Sequence, residues 1–406
     1  MRFDLNLRER VRSQFRDIAR DMQGWQVRSR LQDDEIDQVR SQICLFGHTT
    51  MRDRLTVGGV DGSGDFPLLS YADSFVYLAV AQATVYESNR ITGLWEQGPT
   101  PEIVFESAWL PENNSEAPDV LDSFLARLAN MSLMAVIEAS DYKLLKSRET
   151  RKTFSVQTLL KDLIRPHASD TGNLAIQLRS TAELGAALRL IQSETCPDYL
   201  LMDTTFSLPL LSSSSSSLFY EHVKRLCCVE ALRQGKGFFA LSKSHGLPAM
   251  DSLEELARDR RGLEGNQVAE HWYLRIPESD RDGWMLSLCE GRRLPPAGAV
   301  SYLVRFHRST PVMRLDMDVN YWERFVRGNS AEETMGRECR IFEDLDYACH
   351  DQRVYGYPYP IKAAHDRASL MEAERVAMRK QLIAEAVSAG MSPSLFRDPS
   401  LATGHR

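Results

Sequence analysis

The chain has 406 residues, 43% hydrophobic and 26% charged, the balance of a folded protein with a substantial core. Its formal net charge of −7 excludes holding nucleic acid by bulk positive charge, though not by a locally basic channel. Seven cysteines without a Cys-x-x-Cys pair argue against a zinc ribbon. The odd thiol count and the lack of a leader-like start predict a cytoplasmic protein, and no apolar run approaches the ~20 residues of a membrane span.

In residues 5–44, apolar side chains recur every three or four positions, at Leu5, Leu7, Val11, Phe15, Ile18 and Met22, then at Val27, Leu31, Ile36, Val39 and Ile43. The spacing predicts two amphipathic helices broken near Gly24. They either cover the core or meet a partner. Leu55–Val60, Ser74–Ala83 and Ile103–Trp109 read as three strands of an antiparallel meander. Residues 118–165 and 178–194 are predicted helical. Asp198–Asp203 is an apolar strand closed by an acid at each end, and Ser212–Ser217 is a low-complexity run expected to be a loose loop.

A helix over 218–235 precedes the strand Gly237–Ser242, and further strands are expected at 269–276, 283–289, 299–307 and 311–318. The last third reads as a helix near 331–348, the segment Tyr355-Gly-Tyr-Pro-Tyr-Pro-Ile361, a helix over 362–389 and a loose tail. Strands first, then helices alternating with strands, with acids at strand ends, predict an α/β fold. Its expected form is a ribonuclease H-like mixed sheet flanked by helices, with N-terminal helices and a C-terminal helix.

The stretch Val57-Gly-Gly-Val-Asp-Gly-Ser-Gly64 carries the most information. An apolar strand delivers Asp61 into what reads as a glycine-rich turn, although Asp-Gly is also an ordinary hairpin signal. Asp203 ends a second apolar strand. Two strand-end carboxylates can share divalent metal, and oxygen ligands select Mg²⁺ or Mn²⁺ over zinc. Glu183, on the helix feeding the Asp203 strand, is a third candidate ligand, with Arg179 one turn before it as an ion-pair or phosphate partner. Glu138 competes with it. Lys243 leaves its strand in Ser-Lys-Ser-His-Gly and can neutralise charge on a reacting phosphate. His365 falls in the first turns of a helix opened by Pro358 and Pro360 and can bind metal or orient water. Each has an everyday alternative as a turn cap, surface ion pair, loop lysine or helix-face histidine.

Together these segments resemble the NurA nuclease family. The resemblance rests on Val60-Asp61-Gly62-Ser63, Glu183 followed by Leu200-Leu201-Met202-Asp203, Ser242-Lys243, Pro311–Asp316 and Gly356-Tyr-Pro-Tyr-Pro-Ile-Lys-Ala-Ala-His365, in that order along the chain. It implies a dimeric, Mn²⁺- or Mg²⁺-dependent nuclease acting on DNA beside the hexameric ATPase HerA, in DNA end processing or antiviral defence. It also implies Asp61, Glu183, Asp203 and His365 as metal ligands, with Lys243 a weaker correspondence. The expected organisation is an N-terminal helical segment over 1–45 for partner or dimer contact, a nuclease domain over 46–390 and a loose tail over 391–406. A catalytically silent DNA-clamping or regulatory subunit of the same ATPase complex is the alternative.

Overall fold

The computed structural model describes residues 5–28, 31–64, 67–71, 74–89, 93–111, 117–206, 216–247 and 250–396. Among the described residues, eleven strands form one mixed sheet. In chain order they are β1 (Cys44–Leu45), β2 (Thr56–Ser63), β3 (Leu69–Tyr71), β4 (Ser74–Asn89), β5 (Gly93–Glu96), β6 (Val104–Pro111), β7 (Tyr199–Met202), β8 (Gly237–Ser242), β9 (Trp272–Arg275), β10 (Ala299–Arg305) and β11 (Met313–Asp318). The spatial order is β1-β9-β10-β11-β8-β7-β2-β4-β3, with β5 and β6 also paired to β4. Among the described strands of this sheet, β2–β7 and β7–β8 are the parallel pairs.

The expected mixed α/β sheet is present, and β2, β4 and β6 form the antiparallel meander. The parallel strands sit in its middle, covered on both faces. This is why β8 reads Gly-Phe-Phe-Ala-Leu-Ser without alternation, with all six residues buried.

The helices are α1 (Leu5–Arg28), α2 (Ile36–Gln42), α3 (Ala117–Ala129), α4 (Leu133–Ala139), α5 (Tyr142–Thr150), α6 (Val156–Lys161), α7 (Thr171–Ile191), α8 (Phe219–Arg233), α9 (Met250–Arg261), α10 (Ser279–Asp282), α11 (Val319–Tyr321), α12 (Ala331–Cys349), α13 (Tyr359–Ala368) and α14 (Glu372–Ser388). Helices α3, α4, α7 and α8 contribute to one apolar core with Val60 and Met202, while α12 and α13 close the opposite face over Val57, Leu201 and Leu241. A third cluster at the β9 edge joins Val39 and Ile43 to Leu253 of α9. The buried Arg225 of α8 bridges Asp141, at the start of α5, and Asp318, at the end of β11, at 2.7 and 2.5 Å. Breaking such a pair leaves a buried charge, so it fixes how these elements meet. Among the described residues no single helix is long and apolar enough to cross a membrane.

Several local expectations need correction. Helix α1 runs through Gly24 without a break, and Phe15, Ile18 and Met22 stay exposed. A single glycine in a long helix lowers propensity by only about 1 kcal/mol and does not by itself end it. Residues 283–289 are not a strand; Ser287–Cys289 forms a single tight turn of helix. The predicted helix over 362–389 is two helices, with Ser369–Met371 between α13 and α14. In the tail, Phe396 is buried against Tyr71, with ring centroids 5.3 Å apart, while residues 392–395 are exposed. Most of the serine run (212–215) and residues 397–406 lie outside the described residues.

Candidate metal-binding active site

Val57–Ser63 does not turn at Asp61. The residue sits inside β2, opposite Gln82 of β4, and the strand continues to Ser63. The glycines serve a different purpose. A Cβ on Gly59 would lie 2.2 Å from the backbone of Pro360 and Ile361, so α13 rests directly on the strand. The Pro360 carbonyl accepts a 2.8 Å hydrogen bond from buried Thr84 of β4, which holds the helix start in place. On the other side, a Cβ on Gly62 would lie 2.8 Å from Cγ of Glu183. Glycine at these two positions lets a helix approach each face of one strand.

The predicted residues meet in pairs around these strands. Val60 pairs with Met202 in parallel register, so Asp61 and Asp203 are the next residues of neighbouring strands. His365, on α13, places Nδ1 2.8 Å from Asp61 Oδ2, and its Nε2 lies 3.3 Å from Ser369 Oγ. Asp61 Oδ1 accepts from the Gly62 amide at 2.8 Å. Lys243 Nζ lies 3.3 Å from Asp203 Oδ2. Glu183, nearly buried in α7, packs against Gly62 and pairs with Arg179 at 3.4 Å, as its spacing predicted. Glu138 is exposed on α4, a helix packed against α6 and α8. Glu183 is therefore the acid beside the strand that carries Asp61.

Two features escaped the sequence reading. Tyr357 donates to Asp203 Oδ2 at 3.1 Å, and its ring carries Lys243 Nζ 3.9 Å from the centroid. Burial, then the negative charge of Asp203, raises the phenol well above its ordinary pKa, so Tyr357 remains a hydrogen-bond donor. The Tyr-Pro-Tyr-Pro segment signalled a rigid lead into α13, but nothing local marked one tyrosine as a partner of Asp203.

The second feature is a brace behind the site. Asp316 of β11 is fully buried and accepts from Arg314 Nε and Nη2 at 2.7 and 2.6 Å, from Ser301 Oγ at 2.6 Å and from the Phe206 amide at 2.8 Å. The last bond ties down the backbone three residues beyond Asp203. The Pro311–Asp316 segment thus contributes support.

No protein-family profile and no curated protein sequence matches the chain. Among solved structures, it is similar to the NurA nuclease from Sulfolobus solfataricus, with TM-score 0.51 and 11% identity over 96% of this chain and 99% of that one. This chain has the NurA fold. A second NurA structure, determined with manganese, aligns over 95% of this chain and 100% of its own at 13% identity, but its TM-score of 0.43 adds nothing to the argument. The expected ribonuclease H-like architecture and the similarity to NurA therefore hold along almost the whole length. At this identity the likeness concerns the fold, and the chemistry has to be argued from the side chains.

The donor set suits a hard divalent cation. Asp61 and Asp203 follow paired residues of neighbouring strands, Glu183 packs against Gly62, and His365 meets Asp61. Asp203 Oδ2 is taken by Tyr357 and Lys243, while no described residue hydrogen-bonds to Oδ1. Carboxylates with one oxygen fixed by hydrogen bonds and the other open are suitable Mg²⁺ or Mn²⁺ ligands.

Proposed function

We propose that this protein is a divalent-metal-dependent deoxyribonuclease of the NurA family. The observation that carries the reading is the meeting of Asp61, inside β2, with His365 and of Asp203, just past the end of the adjacent parallel strand β7, with Lys243 and Tyr357. In this reading Asp61, Asp203 and Glu183 hold Mn²⁺ or Mg²⁺, with His365 as a further ligand or the group that orients water. The bound cations supply Lewis-acid activation of water and neutralise charge on the scissile phosphodiester.

The protein's own groups do the positioning. Tyr357 and Lys243 fix the orientation of Asp203. The Lys243 ammonium, half-exposed above Tyr357, is placed to neutralise a phosphate oxygen as charge builds. His365, held at Nδ1 by Asp61, can accept or deliver a proton at Nε2. Residues 46–390 serve as the nuclease domain.

The same reading makes the protein a cytoplasmic homodimer that receives DNA from a HerA-type hexameric ATPase, in end processing or antiviral defence. Two points support this. The net charge of −7 gives little electrostatic help in finding DNA, so a translocase that feeds the strand has a physical purpose. Helix α1 also exposes Phe15, Ile18 and Met22 along one face.

The test is cleavage of labelled linear DNA in Mn²⁺, with and without a HerA-type partner. Asp61→Asn and Asp203→Asn should each abolish cleavage without unfolding the protein, because both metal affinity and geometry suffer. Cleavage at the wild-type rate in both variants would refute the site. DNA binding without cleavage by the wild type under all metal conditions would instead make it the silent clamping subunit.

A further inference from the structure

A second group of ligating side chains lies at the opposite edge of the sheet, where β1 pairs with β9. His48 follows β1, His271 directly precedes β9, and Asp346 and His350 are one turn apart at the end of α12. These residues come from three segments separated by more than seventy positions, yet one ligand atom from each lies within 4.8 Å of all the others.

Asp346 is at the centre and its side chain is completely buried. Its Oδ2 accepts from the Thr49 amide at 2.8 Å and lies 3.0 Å from His48 Nδ1. Its Oδ1 lies 3.1 Å from His350 Nδ1 and 3.5 Å from His271 Nε2. Neither of these two contacts has hydrogen-bond geometry: His350 Nδ1 faces the Asp346 backbone carbonyl at 2.9 Å, and among the described residues Asp346 Oδ1 and His271 Nε2 are buried without a hydrogen-bond partner. Buried polar atoms are rarely left so.

The spacing suggests what satisfies them. Four ligands at the ~2.0–2.1 Å bond lengths of tetrahedral zinc are separated by about 3.3–3.4 Å along the edges of the tetrahedron. The 3.0 Å from His48 Nδ1 to Asp346 Oδ2 and the 3.5 Å from His271 Nε2 to Asp346 Oδ1 are close to that edge, and one ligand atom of each of the four residues lies within 4.8 Å of the others. The donor set decides the metal class. Three imidazoles and one carboxylate select zinc over Mg²⁺ or Mn²⁺, whereas carboxylates predominate near Asp61. The Thr49 amide on Asp346 Oδ2 orients the carboxylate, as the outer partners of metal ligands do. His48, with its side chain 42% exposed, forms the solvent side of the cluster, through which an ion can reach it.

We propose that His48, His271, Asp346 and His350 form a tetrahedral zinc site that clasps the β1–β9 edge to the end of α12. Four protein ligands leave no open position, so the site is structural. It also reaches the candidate active site through the chain. His350 pairs with Tyr355 in the short hairpin after α12, and two residues later Tyr357 meets Asp203. The clasp therefore anchors the hairpin from which Tyr357 extends.

The test uses the full-length Asp61→Asn/Asp203→Asn variant, stripped with chelator, so that the carboxylate site contributes no binding. Titration with Co²⁺ should give the intense visible bands of tetrahedral cobalt, saturating at one ion per chain, and Zn²⁺ should abolish them. Adding His350→Ala should lower zinc affinity by at least about 100-fold, more than loss of an outer partner does. His48→Ala, at the exposed rim, should do the same and covers the case in which His350→Ala fails to fold. Absence of a tetrahedral cobalt spectrum, or zinc affinity unchanged in the His48 variant, would overturn the proposal and leave a carboxylate neutralised by protonated histidine.

Discussion

The phenol of Tyr357 donates to Asp203 across 3.1 Å, joining the segment that leads into α13 to the end of β7 over 154 positions of sequence. The bond fixes one oxygen of Asp203 and leaves the other without a hydrogen bond from any described residue. It also gives Lys243 an aromatic face to rest on.

Tyr357→Phe isolates that bond, because the ring under Lys243 is kept. Mn²⁺-dependent cleavage should fall about 10-fold, while stability in urea changes by about 1 kcal/mol, the usual net value of one hydrogen bond. Single-turnover rates for the folded variant provide the measurement. An unchanged rate would mean that Lys243 alone orients Asp203.

Gly59 is the point where α13 rests on β2. A methyl there meets backbone atoms at 2.2 Å, and backbone cannot rotate away. Gly59→Ala should therefore destabilise the protein by about 3 kcal/mol and displace His365 with the helix. Gly336, within α12, has nothing within 4 Å of a new Cβ. Gly336→Ala should be neutral or stabilise by about 0.5–1 kcal/mol. Urea unfolding of the two variants side by side gives the contrast, and similar midpoints for both would contradict the close approach of α13.

His222 sets an acid limit on stability. Burial pushes its imidazole down to about 3, and Nε2 is held 2.8 Å from Ser217 Oγ. In the unfolded chain the same group titrates near 6.5, so the unfolded state takes up the proton first as pH falls. Neutral His222 is fully compatible with folding above pH ~6.5. Its cost then grows by up to about 1.4 kcal/mol per pH unit down to about pH 3. Between pH 7 and 5 the wild type should lose about 2 kcal/mol more than His222→Gln. Parallel pH profiles in urea unfolding would show that His222 is protonated in the folded state.

The residues legible from sequence were those marked by a local pattern. Asp61 and Asp203 follow apolar runs that can only be buried strands, so their position near the ends of those strands followed. The helix carrying Glu183 was read over 178–194, while α7 starts earlier, at Thr171, behind an Asp170 cap that the reading missed. The prolines before His365 marked the start of α13. By contrast, the glycines around Asp61 were read as a turn, because the local signal for a turn and for close packing is the same.

By itself, the sequence determined the mixed α/β class and most of the strands and helices that build the sheet and its cover. These follow from periodicity and capping, which act over a few residues. Tertiary structure alone decided that Glu183 rather than Glu138 lies beside β2, that Tyr357 holds Asp203, and that Asp316 braces the Phe206 backbone. It alone brought His48, His271, Asp346 and His350 within 4.8 Å. The physical reason is that such contacts depend on which helix face packs on which strand. Burial of apolar area across the whole sheet sets that choice, and it leaves no trace in the spacing of the residues it unites.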